Sequence, residues 1–181
     1  PDFTRLKMDR VLARGEPNAL FSEASADAFT PQSREILERA WAQIHAAFKQ
    51  RYADRDGLRV IHNDLWHDNI MVDGDRLRPF DFEDTIWGYP VQDIAMAFND
   101  LRGDVDRERF ETLTAAFRAG YEALAPWPEA YDGEIDTFRV GRMLWVANYV
   151  ARYERGYLRG HLDGLAERLE GYLETGRVDA L

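Results

Sequence analysis

From Gly88-Tyr89-Pro90 to its C-terminus the chain carries apolar residues at helical spacing, broken only at Pro126, Pro128, Gly133 and a stretch near Gly156. Helices are expected over 92–101, 107–124, 134–154 and about 158–173. Upstream, Thr30-Pro31 reads as a helix start, with Thr as N-cap and Pro at the first helical position. Leu37, Trp41, Ile44 and Phe48 follow at spacings of four, three and four, which predicts an amphipathic helix of about five to six turns ending near Asp56-Gly57. Between these helical stretches the texture changes. Residues 58–61, 69–72 and 77–82 are short β-leaning runs, and Asp73-Gly74-Asp75 separates the last two, an Asp-Gly signal for a hairpin. The expected fold class is mainly α (α+β): a helical body with one small β element near residues 60–82. The first 30 residues read as irregular, with a turn at Arg14-Gly15-Glu16-Pro17-Asn18.

Composition narrows the function classes. Twenty-three Lys and Arg against 33 Asp and Glu give a net charge of -10 over 181 residues, which argues against non-specific binding to nucleic acid or to an anionic membrane. Cysteine is absent, so disulfide scaffolds, thiolate metal sites and thiol catalysis are excluded. No apolar run approaches the ~18–20 residues of a membrane span, and no signal-peptide pattern is present; the expected compartment is the cytoplasm. The length suits one domain. The chain opens Pro1-Asp2-Phe3, as expected of a processed chain or a piece of something longer.

The chemistry concentrates in residues 62–93. Eight acids lie there (Asp64, Asp68, Asp73, Asp75, Asp81, Glu83, Asp84 and Asp93) against Arg76 and Arg78, so this segment carries -6 of the total charge. Turn propensity accounts for Asp73 and Asp75. The others need solvent, partners or a cation. His62-Asn63-Asp64-Leu65-Trp66-His67-Asp68-Asn69 contains His-x-Asp-x-x-x-x-Asn, and Asp81 follows Asn69 by twelve residues across the hairpin. Phosphoryl transfer asks for these residue types: a carboxylate at the acceptor hydroxyl, and an amide oxygen with a second carboxylate to hold Mg²⁺ on the nucleotide phosphates.

Those residues, with Arg78-Pro79-Phe80-Asp81-Phe82-Glu83-Asp84, Trp87-Gly88-Tyr89-Pro90 and Asp93-Ile94-Ala95, resemble the C-terminal lobe of the aminoglycoside phosphotransferase and choline kinase family, which has a protein-kinase-like fold. The resemblance covers about residues 60–98. It implies Asp64 as the catalytic base, Asn69 and Asp81 as Mg²⁺ ligands, Asp93 as a brace accepting backbone N–H bonds from the catalytic loop, and His62 as a support of that loop rather than a proton carrier. Family members often have His in place of Trp66 and Gly in place of Asp68, so the loop conformation here could differ. Asp68 is either a third carboxylate near the metal or an exposed loop acid, and Asp84 either stands behind the metal ligands or serves the turn. His67 is a poor ligand for Mg²⁺, which prefers oxygen.

The resemblance also divides the chain: a hinge-like irregular segment over 1–30, the catalytic loop and metal hairpin over 58–84, and a helical substrate subdomain over 90–181. What it implies beyond them is not found. The two lysines, Lys7 and Lys49, lie in the irregular opening and on an amphipathic helix, and no G-x-G pair occurs; the nucleotide-covering N-lobe with its strand lysine is absent from these residues. The expected activity is ATP- or GTP-dependent, Mg²⁺-assisted phosphorylation of a small aminoglycoside- or choline-like alcohol, inactive in this chain alone. Alternatives are a homoserine, sugar or protein-hydroxyl kinase of the same fold, a non-catalytic pseudokinase-like binding lobe, and a metal-dependent hydrolase. Self-association or pairing with a separate N-lobe is the expected partnership, besides nucleotide and acceptor. Trp145, Tyr149 and Tyr153, at four-residue spacing, are expected in the core. Trp41, Phe48, Phe98, Phe110 and Phe117 are expected there too, and no substrate-binding residue is singled out.

Overall fold

A computed structural model describes residues 9–13 and 15–179; residues 1–8, with Lys7, and Arg14 of the hinge-like opening stretch lie outside the described residues. The chain forms two compact units, residues 1–56 with 136–181 and residues 57–135.

The first unit is helical. Helix α1 (Pro31–Arg51) starts as its sequence dictates: the Thr30 side chain accepts from the Ser33 N–H at 3.0 Å, Ser33 Oγ accepts from the Thr30 N–H at 2.9 Å, and Pro31 sits in the first turn. The helix ends five residues before the expected stop, because Asp54 Oδ1 takes the Asp56 N–H at 2.9 Å and offers the backbone a turn instead. Its buried face, Ile36, Leu37, Ala40, Ile44 and Phe48, belongs to a helix that packs on α5 (Leu158–Thr175), whose own buried face includes Leu162, Leu165 and Leu169. Phe48 stacks on Phe138 of α4 (Glu134–Tyr153) with ring centroids 4.8 Å apart. Asn148, fully buried on α4, accepts the Ala19 and Leu20 N–H groups at 2.8 and 3.1 Å and donates to the Pro17 carbonyl at 3.2 Å, so one side chain fixes the segment before the short helical turn Glu23–Ala28.

The second unit carries the four strands found among the described residues. β1 (Arg59–Ile61) pairs antiparallel with β4 (Ile86–Gly88), with Val60 opposite Trp87. The strand at 86–88 is not expected from the sequence. A three-residue run ending in Gly gives no periodicity to detect, and its pairing is with a segment 27 residues away in register. Gly88 is closely packed: a Cβ there would lie 2.5 Å from both Ile61 Cδ1 and Gln92 Oε1, so those side chains would have to shift to admit one. β2 (Ile70–Asp73) and β3 (Arg76–Pro79) form the expected hairpin, but the two turn residues are Gly74-Asp75 rather than Asp73-Gly74. Gly74 has φ +59° and Asp75 has no positive φ, the pattern of a type II′ turn, which wants Gly first. β3 ends at Pro79, and 82–84 is a helical turn instead of strand.

Helix α2 (Pro90–Asp104) begins earlier than predicted because Pro90 fits the first turn and Gln92 Oε1 accepts the Tyr89 N–H at 2.8 Å. It buries Val91, Ile94, Ala95 and Phe98. Helix α3 (Arg107–Glu122) is capped by Asp106 and meets α2 through edge-on contacts of Phe98 with Phe110 and Phe117. Among the described residues no helix is long and apolar enough to cross a membrane.

The aromatic expectations divide. Phe48 and Phe98 are buried, whereas Phe117 is exposed and Trp41, Phe110 and Trp145 are only partly covered. Tyr149 and Tyr153, expected in the core, are 42% and 59% exposed and continue from Trp145 as a ladder of rings 5.9 and 4.9 Å apart. The helix places its core face at Val140, Leu144, Ala147 and Ala151 instead.

Candidate active site

The loop from His62 to Asn69 joins β1 to β2, and its backbone is held by side chains of α2. Asp93, in the first turn of that helix, accepts the His62 N–H through Oδ2 at 3.0 Å and the Asn63 N–H through Oδ1 at 2.7 Å. Asn63 takes a left-handed conformation, φ +67°. Burial pushes the Asp93 carboxyl above its ordinary value, opposed by the two backbone N–H bonds that favour the charged form.

Within the loop, Asn69 is buried and its Nδ2 donates both to the Asp64 carbonyl at 2.9 Å and to Asp64 Oδ2 at 3.0 Å. Both partners can only accept, so the amide orientation is fixed by chemistry, and Oδ1 is the atom Asn69 has left to offer a cation. The chain returns through Phe80. Its N–H donates to the Asn69 carbonyl at 3.0 Å, and its carbonyl accepts from His62 Nε2 at 2.8 Å. His62 therefore carries its ring proton on Nε2. Its buried Nδ1 has no hydrogen-bond partner among the described residues, and the ring lies against Phe82 at 4.8 Å. Asp81 follows directly, exposed and left-handed (φ +60°, ψ +65°), and opens the helical turn Phe82–Asp84.

Direct hydrogen bonds thus join Asp93 to His62 and Asn69 to Asp64, the backbone of Phe80 bridges the two pairs, and Asp81 follows Phe80 in the chain. Asp68 and Asp84 are exposed; Asp68 Oδ1 lies 3.2 Å from His67 Nε2. One participant was not read from the sequence. Asp100, on α2, accepts from His67 through both its backbone N–H at 3.0 Å and its ring Nδ1 at 2.7 Å. The hydrogen bond and charge of Asp100, with Asp68 and Asp104 nearby, raise the His67 pKa above the ordinary imidazole value. The signal available was an acid seven residues after Asp93 on the same predicted helix.

A loop beside an antiparallel hairpin, braced by a following helix, thus carries the Asp64 and Asp81 carboxylates and the Asn69 amide. The solved amicoumacin kinase, in complex with AMP-PNP, Ca²⁺ and Ami, superposes with a TM-score of 0.62 over 81% of this chain and 49% of its own, at 15% identity, and so shares the fold. Residues 6–127 match the sequence profile of the phosphotransferase enzyme family, and the chain belongs to that family. Homoserine kinase of Neisseria meningitidis serogroup B is 32% identical over 110 residues, 60% of this chain and 36% of the relative. Homoserine kinase of Pseudomonas aeruginosa is 33% identical over 132 residues, 67% of this chain and 41% of the relative. The chain thus spans about two fifths of the length of the curated relatives it matches.

Proposed function

We propose that this chain supplies the acceptor-activating and metal-binding residues of a kinase that moves the γ-phosphoryl group of ATP or GTP to the hydroxyl of a small molecule. The observation that carries the reading is the linked set: Asn69 donates to Asp64, and Phe80, immediately before Asp81, is tied to both Asn69 and His62. Asp64 accepts the hydroxyl proton. Asn69 Oδ1 and the Asp81 carboxylate hold Mg²⁺, a hard cation suited to oxygen ligands, and Mg²⁺ when bound neutralises charge on the transferring phosphates. Asp93 and His62 hold the loop in place. Asp68 and Asp84, both exposed, serve as solvated acids near the metal. The acceptor that the relatives favour is a homoserine-like hydroxy amino acid rather than an aminoglycoside or choline, since the relatives named above are homoserine kinases.

These 181 residues contain no G-x-G pair, and of the two lysines Lys49 lies on helix α1 while Lys7 lies outside the described residues. Turnover therefore requires a phosphate-covering lobe besides them, because positioning is most of what such enzymes contribute. The exposed apolar residues of the hairpin and its flank, Met71, Val72, Leu77, Phe80 and Phe82, suit such a cover.

The test is a coupled ADP assay, with homoserine and with aminoglycosides, on a longer chain bearing that lobe. Asp64→Asn should lower kcat by about 10²–10⁴-fold with little change in nucleotide affinity. Asp81→Ala should abolish turnover, and added Mg²⁺ should restore Asn69→Ala better than Asp81→Ala, since Asp81 supplies the charge. Full activity of Asp81→Ala at ordinary Mg²⁺ would overturn the kinase reading. Nucleotide binding without transfer would point to a non-catalytic lobe, and tight Zn²⁺ or Mn²⁺ binding without nucleotide to a hydrolase.

A further inference from the structure

The 62–69 loop is held at both ends by one helix. Asp93 takes the N–H groups of His62 and Asn63 at its start, and Asp100 takes the N–H of His67 near its end. Seven residues separate the two acids, which on an α-helix returns to the same face about 10.5 Å further along the axis. The four residues of chain from Asn63 to His67 reach at most about 13–14 Å when fully extended. Fixing both ends therefore leaves little slack for the stretch between them, Asp64-Leu65-Trp66, which holds the carboxylate assigned to the acceptor. The Trp66 N–H bond to the Asp64 carbonyl, at 3.1 Å, tightens it further.

We propose that Asp100 is a positioning residue, the second of two carboxylates by which α2 sets the placement of Asp64. Its side chain is 14% exposed, against 58% for His67, so the sheltered carboxylate is the fixed point and the imidazole comes to it. One oxygen, Oδ2, accepts both the backbone N–H at 3.0 Å and the ring Nδ1 at 2.7 Å, which fixes the His67 backbone and ring together. Asp104 Oδ2, 3.8 Å from Nδ1, and Asp68 Oδ1, 3.2 Å from Nε2, add charge around the ring. His67, Asp100 and Asp104 could be read instead as a metal site. The geometry opposes that. Two ligands at ~2.1 Å from one metal ion, at right angles or wider, stand about 3.0 Å apart or more, so the 2.7 Å Nδ1–Oδ2 contact is a hydrogen bond with the proton between its atoms.

The tether is testable on the 181-residue chain without turnover, and its kinetic consequence rests on the phosphotransferase reading. In residue-resolved amide hydrogen exchange, Asp100→Ala should speed exchange at the His67 amide by about ten-fold or more, because a charged hydrogen bond is lost, while Asn63, held by Asp93, stays within about two-fold. A general loss of stability would raise both amides together. Asp100→Asn, which keeps one acceptor oxygen, should recover part of the protection. Should Asp100→Ala fail to fold, His67→Ala, at an exposed side chain, should give a smaller acceleration at the same amide. In a longer, active chain Asp100→Ala should lower kcat about ten-fold and leave KM for Mg-nucleotide within two-fold. Unchanged exchange at His67, equal acceleration of both amides, unchanged kcat in an active longer chain, or Zn²⁺ binding that requires His67, Asp100 and Asp104 together would overturn the proposal. No turnover by any longer chain, wild type included, would count against the kinase reading, while the exchange experiment would still decide the tether.

Discussion

Replacing Gly141 by Ala should destabilise the protein, although Ala is the better helix former. Gly141 lies inside α4, where the exchange would ordinarily gain about 0.8–1 kcal/mol. A Cβ at this position, however, would overlap Phe48 Cζ and lie 2.9 Å from Cε2. Phe48 has no room to yield: it is 4% exposed and stacked on Phe138 at 4.8 Å. Overpacking of a tight core costs about 1–3 kcal/mol. A van der Waals overlap with a ring held on its other face belongs in the upper part of that range, so the net loss should be about 1–2 kcal/mol, or a Tm lower by about 2–8 °C for a chain of this size. Gly164 provides the control. It too is interior to a helix, α5, but a Cβ there meets nothing within 4 Å, so Gly164→Ala should be stabilising by up to about 1 kcal/mol. The two variants should therefore separate by about 2–3 kcal/mol in urea denaturation followed by far-UV circular dichroism. Phe48→Leu should offset part of the Gly141→Ala loss in the double variant, through a favourable coupling of about 1 kcal/mol. Equal stabilisation by Gly141→Ala and Gly164→Ala would refute the packing argument.

Two further outcomes follow from buried polar groups. Asn148→Ala should cost about 2–4 kcal/mol, because it leaves the Ala19 and Leu20 N–H groups without their acceptor; faster amide exchange confined to those residues is the accompanying sign, and unchanged stability would count against it. At Asp179, burial raises the carboxyl pKa, but the hydrogen bonds and charges of Arg139 and Arg168 outweigh it and hold the group below its ordinary value. A depressed carboxylate adds stability that is present above about pH 3.9 and is lost as pH falls through the folded value. Asp136, which burial pushes the other way, has the opposite dependence. Wild type should therefore exceed Asp179→Asn in stability at pH 6, with the gap closing toward pH 3; a gap that does not change with pH would remove the ion pair from the account.

The sequence by itself determined the helices, since their signals are local. Thr30 and Pro31 announce the start of α1, the spacing of Leu37, Ile44 and Phe48 marks its buried face, and Asp106 caps α3 through bonds reaching only three residues ahead. It also made the residue types of the candidate centre legible, because His62, Asp64, Asn69, Asp81 and Asp93 fall at intervals set by one loop, one hairpin and one helix start. What it left open depended on partners remote in the chain. β4 exists through pairing with β1, and the turn residues of the hairpin were settled by register, with Asp73 opposite Arg76. Trp145, Tyr149 and Tyr153 have a helical spacing that marks one face of α4 without saying whether that face is inside, and packing put Val140, Leu144 and Ala147 there. Asp100 looked like any helix-surface acid until His67, 33 residues earlier, was brought to it. Periodicity and capping are written in neighbouring residues, but a hydrogen bond across 33 residues, or the space denied to a Cβ at Gly141, exists only once the chain has closed on itself.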